Sequence, residues 1–361
     1  MKIFFDYRIF YHQSNGGITR YIINLSKEFQ RLNNENHIIA PVHINEMLSD
    51  YSKKFENIHG IFIKKKPLFT SKFLNYLNYN LTKYYYNKIK PQIYHQTYYG
   101  NFPKLKNVIK VVTVHDLIHE KFYNLYGMSI KDRPKKKSIE EADKIICVSE
   151  NTKIDLHNFY NINDKKIFVI NHGHEHILNL LDDKKRIERK NEILYVGGRG
   201  KYKNFKNFIK AFVISERIKK NFNIICFGGG DFTENEVNFL KNEKIYDKIT
   251  YREGDDVNLA RFYKSASCLI LPSLYEGFGL PIIEAFSLGC PVVASNSNSI
   301  IQTAGDAATY FDPENIEDIA DKLEITLNLN DNNENVKKGY DQVQKYKWKD
   351  CAKKTLEAYV E

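Results

Sequence analysis

Short apolar segments alternate with longer amphipathic ones along this chain, and the alternation runs through the sequence twice. The segments of the first series are rich in β-branched and aromatic residues, as buried parallel strands are, and lie at 2–5, 37–42, 92–96, 108–116 and 144–149. Those of the second series lie at 192–197, 223–229, 249–252, 267–273 and 291–295. Segments with helical periodicity lie between these strand-like segments; one of them has apolar residues at Ile18, Ile22, Leu25 and Phe29. The pattern predicts an α/β fold of two Rossmann-like, doubly wound domains facing across a crevice.

The division between the two series falls where the sequence loses strand character. Residues 172–190 are charged and polar, and a length of 361 residues suits two domains. We therefore predict an N-terminal domain over 1–172 and a C-terminal domain over 173–344. The last helical pattern, about 345–361, is expected to pack back onto the first domain.

Composition excludes several classes of protein. No run of about 18 apolar residues occurs, and Asp6 and Arg8 interrupt the first apolar stretch before a signal-peptide core could form. We therefore expect a cytoplasmic protein. The five cysteines lie far apart with no CxxC spacing, which argues against a zinc site or a disulfide framework. A net charge of +10 favours anionic partners.

The segment 273–295 carries the strongest chemical signal. A buried strand ends at Pro272, a loop with two glycines follows, and Pro281 suits the first turn of a helix. Backbone N–H groups at such a helix start bind a pyrophosphate, and they come here from Gly277, Phe278, Gly279 and Leu280. Glu276, before the turn, could reach a sugar, and Glu284, placed within the first helical turn, a ribose. The alternative is a pair of carboxylates that only caps the helix.

These residues resemble the Glu-x7-Glu motif of retaining glycosyltransferases with the GT-B fold, in particular family four (glycosyl transferases group 1). The resemblance extends over nearly the whole chain and implies a hexosyltransferase that uses a nucleotide-diphosphate sugar. Residues 195–212 resemble the segment that places an arginine and a lysine on the donor phosphates. Arg199 and Lys203 fit those positions, with Lys206 as a less suitable substitute; the alternative is a solvated basic loop.

Other segments agree with the resemblance. Gly16 and Gly17 resemble the family's glycine-rich loop after the first strand, and Gly228 lies in a glycine run suited to close packing against the nucleotide base. His115 matches the histidine that contacts the donor sugar, although a lone histidine is often structural. Asp116 beside it could equally cap a helix.

The resemblance implies a transfer with retention of configuration. The catalytic set would be His115, Glu276, Arg199 and Lys203, with the two cations and the helix start assisting the departing diphosphate. The candidate bases are the backbone carbonyl at the His115 strand end and the departing phosphate. No metal or other cofactor is expected, because the Asp pairs at 182–183 and 255–256 lie outside a suitable strand end. GDP-mannose is the first donor to test, with UDP-sugars next, and the acceptor is a glycan or lipid-linked hydroxyl in surface polysaccharide or glycoconjugate synthesis.

Two other interpretations remain open. One is a GT-B nucleotide-sugar epimerase, against which the Glu-x7-Glu pair argues. The other is a basic membrane-binding or nucleic-acid-binding protein, based on the lysine-rich segments 64–90 and 131–137. We expect these segments to dock the enzyme peripherally on an anionic inner membrane surface, and we expect no nucleic acid partner. A solvated basic face is the simpler alternative.

Overall fold

The structure, a computed structural model, describes residues 1–104, 106–123, 132–181, 187–328 and 334–361. The chain divides into two compact units. The first contains residues 1–172 together with 348–361, and the second contains residues 173–347. Each unit has its own apolar core, and the prediction of two Rossmann-like parallel α/β domains is confirmed.

The first unit is built on a parallel sheet of seven strands in the order β3-β2-β1-β4-β5-β6-β7. The strands are β1 (Lys2–Phe5), β2 (Glu35–His43), β3 (Ile58–Phe62), β4 (Ile93–Gln96), β5 (Ile109–Val114), β6 (Lys144–Cys147) and β7 (Ile167–Val169). Its helices are α1 (Arg8–His12), α2 (Gly17–Arg31), α3 (Glu46–Ser52), α4 (Ser71–Ile89), α5 (Ile118–Lys121), α6 (Asp132–Glu141), α7 (Glu150–Phe159) and, from the end of the chain, α16 (Trp348–Val360).

The second unit contains a parallel sheet of six strands in the order β10-β9-β8-β11-β12-β13. The strands are β8 (Lys190–Val196), β9 (Asn223–Phe227), β10 (Ile249–Arg252), β11 (Ala266–Leu271), β12 (Val292–Ser295) and β13 (Thr309–Phe311). Its helices are α8 (Phe205–Ile214), α9 (Glu216–Asn221), α10 (Glu234–Asn242), α11 (Asp256–Ser265), α12 (Leu280–Ser287), α13 (Asn298–Ala304), α14 (Ile316–Leu327) and α15 (Glu334–Val343).

Helix α2 shows how the sequence pattern produces this packing. Its apolar residues recur every three or four positions, so Tyr21, Ile22, Leu25 and Phe29 share one buried face in the core of the first unit. Helix α16 packs along α2, and the ring of Tyr359 meets that of Phe29 edge to face at 6.0 Å. The chain end is thus part of the first core.

Three strands of the structure are absent from the sequence prediction: β3, β7 and β13. All three are at the edge of a sheet, and each has only three to five residues with an incomplete buried pattern. In the described residues, no helix combines the length and apolarity that crossing a bilayer requires.

Candidate functional site

The candidate site of the second unit is at the point where its strand order reverses. The sheet runs outward in both directions from the neighbouring strands β8 and β11, so the loops after them diverge to opposite faces and leave room between them. The backbone N–H of Leu274, after β11, donates to the carbonyl of Tyr202, after β8, at 2.8 Å. This hydrogen bond joins the two loops that carry the predicted residues.

Lys203 and Glu276 meet at this junction. The Lys203 ammonium lies 2.5 Å from Glu276 Oε1, and both side chains are mostly buried. The cation predicted for the donor phosphates and the carboxylate predicted for the sugar are therefore hydrogen-bonded to each other. Tyr195 fixes the start of the loop after β8, because its hydroxyl donates to the carbonyl of Gly198 at 2.7 Å.

Residues 276–279 are held by helix α13. The hydroxyls of Ser299 and Thr303 donate to the backbone carbonyls of Glu276 and Phe278. In a trans peptide the carbonyl and the following N–H point in opposite directions, so the amides of the two glycines that follow point away from α13. The Phe278 ring is buried against Tyr346 at 5.4 Å, so Phe278 can serve a ligand only through its backbone.

Glu284 differs from its predicted placement. Helix α12 begins at Leu280 after Gly279, whose φ of +85° favours glycine, so Glu284 is beyond the first turn. The expectation that it belongs to the first turn was wrong. Its carboxylate is buried, receives a hydrogen bond from the Tyr263 hydroxyl at 2.9 Å and lies 2.9 Å from His176 Nε2.

Arg199 is buried and mostly engaged within the protein. Its Nε lies 2.8 Å from Glu236 Oε1, and its Nη2 donates to the carbonyls of Gly230 and Asp231. Burial would raise the pKa of Glu236, but hydrogen bonds from Arg199 and Thr233 outweigh that effect and lower it. The buried Nη1 of Arg199 has no hydrogen-bond partner among the described residues. That nitrogen is the part of the guanidinium that remains to bind an anionic oxygen.

The glycine run after β9 packs directly on the loop after β8. A Cβ on Gly229 would lie 2.5 Å from the carbonyl oxygen of Gly197, so only glycine allows this approach. Gly228 and Gly230 also have positive φ, but a Cβ there would meet no atom within 4 Å. Gly228 therefore borders open space at the carboxyl end of β9, where we predicted contact with the base.

In the first unit, His115 follows β5 within an aromatic cluster. Its ring stacks on His172 at 5.8 Å and meets Tyr21 edge to face at 5.2 Å. Burial, with smaller contributions from His95 and Lys135, lowers the pKa of His115 to about 3. A neutral imidazole can orient a hydroxyl by hydrogen bonding, but it cannot hold a positive charge at neutral pH.

Asp116 and the basic segment 131–137 have structural partners. Asp116 Oδ1 accepts the backbone N–H of Ile118, the first residue of α5, but the N-cap position of that helix is Leu117, so Asp116 is not its capping residue. Lys135 is buried 2.9 Å from Glu120, and Lys136 and Lys137 each pair with a glutamate one helical turn further on. The burial of Lys135 keeps it from reaching a membrane surface, whereas Lys136 and Lys137 are exposed, so membrane docking by these two stays a prediction. Residue 131 lies outside the described residues.

Gly16 and Gly17 are at the start of α2. The one-turn helix α1 separates them from β1, so they do not follow the first strand directly. The φ of Gly16 is +164°, an extended conformation open to any residue, and a Cβ would meet only the flexible side chain of Gln13. The structure thus gives no conformational reason for a glycine at position 16.

No metal site is evident over the described ranges, where no group of three His, Cys, Asp or Glu side chains is suitably clustered. Asp255 caps helix α11 by accepting the N–H of Asn258 at 2.9 Å. The pair at 182–183 lies outside the described residues. All five cysteines are buried, and none of them forms a disulfide.

Sequence reasoning missed three residues that support the site: His176, Tyr263 and Glu236. The capping box Thr233–Glu236 can be recognised from its spacing, but its contact with Arg199 cannot. His176 and Tyr263 contact Glu284 from 108 and 21 residues away, and nothing local indicates these contacts.

Comparison with known proteins gives a consistent result over both units. The family model described as Glycosyltransferase Family 4 matches residues 15–176, and the one described as Glycosyl transferases group 1 matches residues 179–342. The chain is 28% identical over 220 residues to the O-antigen chain mannosyltransferase RfbU of Salmonella typhimurium, covering 60% of each chain. It is 37% identical over 107 residues to the O-antigen chain mannosyltransferase B of Escherichia coli, covering 29% of this chain and 28% of that one. The alignments thus span less than two thirds of these relatives.

Solved structures resemble the fold along the full length. Sucrose-phosphate synthase from Thermosynechococcus elongatus has a TM-score of 0.76 at 18% identity, over 99% of this chain and 98% of that one. WaaG, a glycosyltransferase involved in lipopolysaccharide biosynthesis, has a TM-score of 0.76 at 14% identity, over 99% of both chains. Together with the family models, these likenesses show that the chain belongs to the GT-B glycosyltransferases of group 1, family four.

Proposed function

We propose that this protein transfers a sugar from a nucleotide-diphosphate donor to a hydroxyl of a glycan or lipid-linked acceptor, with retention of configuration. The observation that carries the proposal is the junction between the loops after β8 and β11, where the strand order of the second sheet reverses. There a lysine and a glutamate form an ion pair beside a helix start, and the neighbouring glycine amides point away from the supporting helix α13. Such a junction offers a positive charge to phosphate groups and a carboxylate that can accept hydrogen bonds from sugar hydroxyls.

The ion pair supports a division of roles between its members. Lys203 carries the charge that stabilises a diphosphate as it departs, together with the amides of Gly277 and Gly279. Glu276 holds the ammonium in place and has a second oxygen with which to accept a sugar hydroxyl. Arg199 supplies one more N–H through Nη1, while its other contacts keep the two glycine loops together.

Glu284 and His115 have supporting roles in this proposal. Glu284 is held by Tyr263 and His176, so it presents a fixed carboxylate to the ribose instead of a mobile one. Neutral His115 orients a donor hydroxyl by a hydrogen bond. The attacking acceptor gives its proton to the departing phosphate, which needs no covalent nucleophile on the protein.

The donor is proposed as GDP-mannose, for synthesis of a surface polysaccharide. Both curated relatives compared above are named O-antigen chain mannosyltransferases, which supports mannose as the sugar. UDP-sugars are the second choice, because one structural neighbour, Anabaena HepE, is described in complex with UDP-glucose.

A thermal-shift screen against GDP, UDP, ADP and dTDP, each with and without magnesium, tests the donor. A nucleotide that binds only the native state raises the unfolding midpoint by an amount set by its concentration relative to its Kd. We expect one nucleotide to give a magnesium-independent shift that Lys203→Ala abolishes. Lys206→Ala is the matched control, since the Lys206 ammonium lies over the Phe239 ring 5.6 Å away. No shift with any of the four would overturn the proposal.

The stereochemical outcome needs a separate measurement. NMR of the product formed from GDP-mannose would report the anomeric configuration of the new glycosidic bond. We expect the α configuration of the donor to be kept. A β-linked product would refute retention while leaving the transferase proposal intact.

A further inference from the structure

Helix α4 presents an unusual outer surface. The two residues that it buries fully, Asn78 and Thr82, are polar, whereas Phe73 and Tyr76 are 64% and 69% exposed. Amphipathic helices of globular proteins place their apolar stripe toward the core. Leu74, Tyr85, Tyr86 and Ile89 of α4 pack partly buried against the cores, but the large aromatic side chains Phe73, Tyr76 and Tyr84 point to solvent.

The orientation of α4 is fixed by polar contacts on its inner side. The Asn78 amide accepts the Val42 N–H at 2.7 Å and donates to the Val42 carbonyl at 2.9 Å, where the pairing of β2 with β3 shifts register. Tyr7 donates to Asn75, and Tyr11 donates to the Ser71 carbonyl. The helix therefore cannot rotate its aromatic residues inward without breaking these partly buried hydrogen bonds.

The loop before α4 extends this surface. Leu68 is 80% exposed, and Phe69 is fully exposed with a φ of +64°, a left-handed conformation that is costly for a bulky residue. The same segment carries the exposed residues Lys64, Lys65, Lys72 and Lys83, and no carboxylate of the described chain lies within ion-pair distance of them. We call this set, Leu68, Phe69, Phe73, Tyr76 and Tyr84 with the four lysines, the aromatic–lysine face.

The excess positive charge of the chain comes from one stretch of sequence that includes this face. Residues 57–115 contain ten lysines and no Asp, Glu or Arg. Of the 54 Lys and Arg residues, 44 remain elsewhere, which equals the number of Asp and Glu residues. Outside this stretch the chain is formally neutral, so its excess of +10 comes from this stretch alone.

We propose that the aromatic–lysine face docks on a bilayer of anionic phospholipids. Exposed Leu and Phe side chains gain free energy by entering the acyl region, tyrosines favour the headgroup level, and lysines reach anionic headgroups from flexible stems. A nucleic acid would use the lysines and tyrosines, but it would leave Leu68 and its aliphatic surface in water. This inference does not depend on the transfer reaction proposed above.

Vesicle co-flotation tests the proposal with purified full-length protein. We expect binding to vesicles of phosphatidylcholine mixed with phosphatidylglycerol, weak binding to phosphatidylcholine alone, and release by salt. Because each lysine near an anionic surface contributes about fivefold in partitioning, Lys64→Gln with Lys65→Gln should weaken binding about 30-fold. Lys353→Gln with Lys354→Gln, two exposed positions on α16, should leave binding unchanged.

A second set of substitutions tests how much the apolar side chains of the face contribute to vesicle binding. Phe69→Ser with Phe73→Ser should reduce binding by about tenfold per residue, and the loss should persist at low salt because it is not electrostatic. Ile154→Ser, which removes a 57% exposed residue from α7, is the matched control. Unchanged melting temperatures would show that all variants fold.

Three results would overturn the inference. One is equal binding to neutral and anionic vesicles. Another is vesicle binding that the substitutions Phe69→Ser with Phe73→Ser leave unchanged. The third is preferential binding of the aromatic–lysine face to a single-stranded oligonucleotide, or to a second copy of the chain, over anionic vesicles.

Discussion

The carboxylate of Glu276 illustrates how much a single side chain can depend on one partner. Lys203 is 2.5 Å away, and the loop that brings it there is tied to the loop of Glu276 by one backbone hydrogen bond. Removing the charge of Glu276 would free the ammonium to adopt other positions. Under the proposed function, the transfer reaction depends on that position.

Glu276→Gln should therefore reduce kcat/KM by about 100-fold, as loss of one preorganised electrostatic group does. The urea midpoint should also fall, because both side chains are mostly buried and the Lys203 ammonium loses its carboxylate partner. Glu253→Gln, on an exposed residue, is the control. The double variant with Lys203→Ala should lose less activity than the two single losses combined, since both act through one pair. Additive losses would refute the coupling.

A buried histidine should make the stability of the first unit depend on pH. His95 lies between the hydroxyls of Tyr359 and Thr113, and burial lowers its pKa to about 3. In the unfolded chain its pKa is about 6.5, so between these values the unfolded state binds the extra proton. The free energy of unfolding should thus fall by about 1.4 kcal/mol per pH unit for this residue as pH drops from 6 toward 3.

Urea titrations at pH 7 and pH 5, monitored by fluorescence, measure this dependence. His95→Gln keeps two polar contacts but cannot take up a proton, so its stability should change less between the two pH values. His43 and His115, whose pKa values burial lowers to about 4 and about 3, remain in the variant and contribute their own parts. An identical pH dependence in wild type and variant would show that His95 does not contribute.

Residue patterns in the sequence locate the backbone of the site better than its side-chain contacts. The glycines and Pro281 mark the turn and the helix start, because those conformations restrict residue type. The partners of Glu284 and Arg199 come from other elements, and sequence spacing contains no information about such contacts. The assignment of Arg199 to phosphates alone was incomplete for the same reason: Glu236 and two carbonyls hold most of its guanidinium.

The strands that the sequence fails to reveal have a common physical cause. A central strand is buried on both faces and becomes a continuous apolar run, as in β5 and β11. An edge strand such as β3 has a solvent-facing side, and its residues Ile58–Phe62 are intermediate or exposed. Its composition then resembles that of a loop, and only the pairing with β2 makes it a strand.

The glycine run after β9 allows a prediction about two loops that must touch. Gly229→Ala would combine a left-handed backbone, costing about 1–2 kcal/mol, with a clash against the carbonyl of Gly197. Gly228→Ala carries the same backbone cost with open space around its Cβ. Urea denaturation should therefore show Gly229→Ala to be less stable than Gly228→Ala by at least about 1 kcal/mol. Equal stabilities would mean that the loops can separate at no cost.

At the scale of the whole molecule, the two units have separate cores. The chain end belongs to the first of them, although 175 residues of the second unit intervene. Trp348, Cys351, Ala352, Ala358 and Tyr359 are all buried in the core that also contains Phe5, Leu25 and Phe29. A defect in α16 should therefore destabilise the first unit selectively, even though α16 follows the second unit in sequence.

Tyr359 is the residue with which to test this. Tyr359→Ala would leave a cavity and remove the hydroxyl that bonds His95, which should cost about 3–5 kcal/mol. Tyr359→Phe keeps the ring packing and loses only the hydrogen bond, a cost of about 1 kcal/mol. Hydrogen exchange followed by mass spectrometry should show faster exchange in residues 1–172 for Tyr359→Ala and little change in 173–347. Faster exchange in both units alike would mean that the cores unfold together, and the protection of one sheet would then depend on the other.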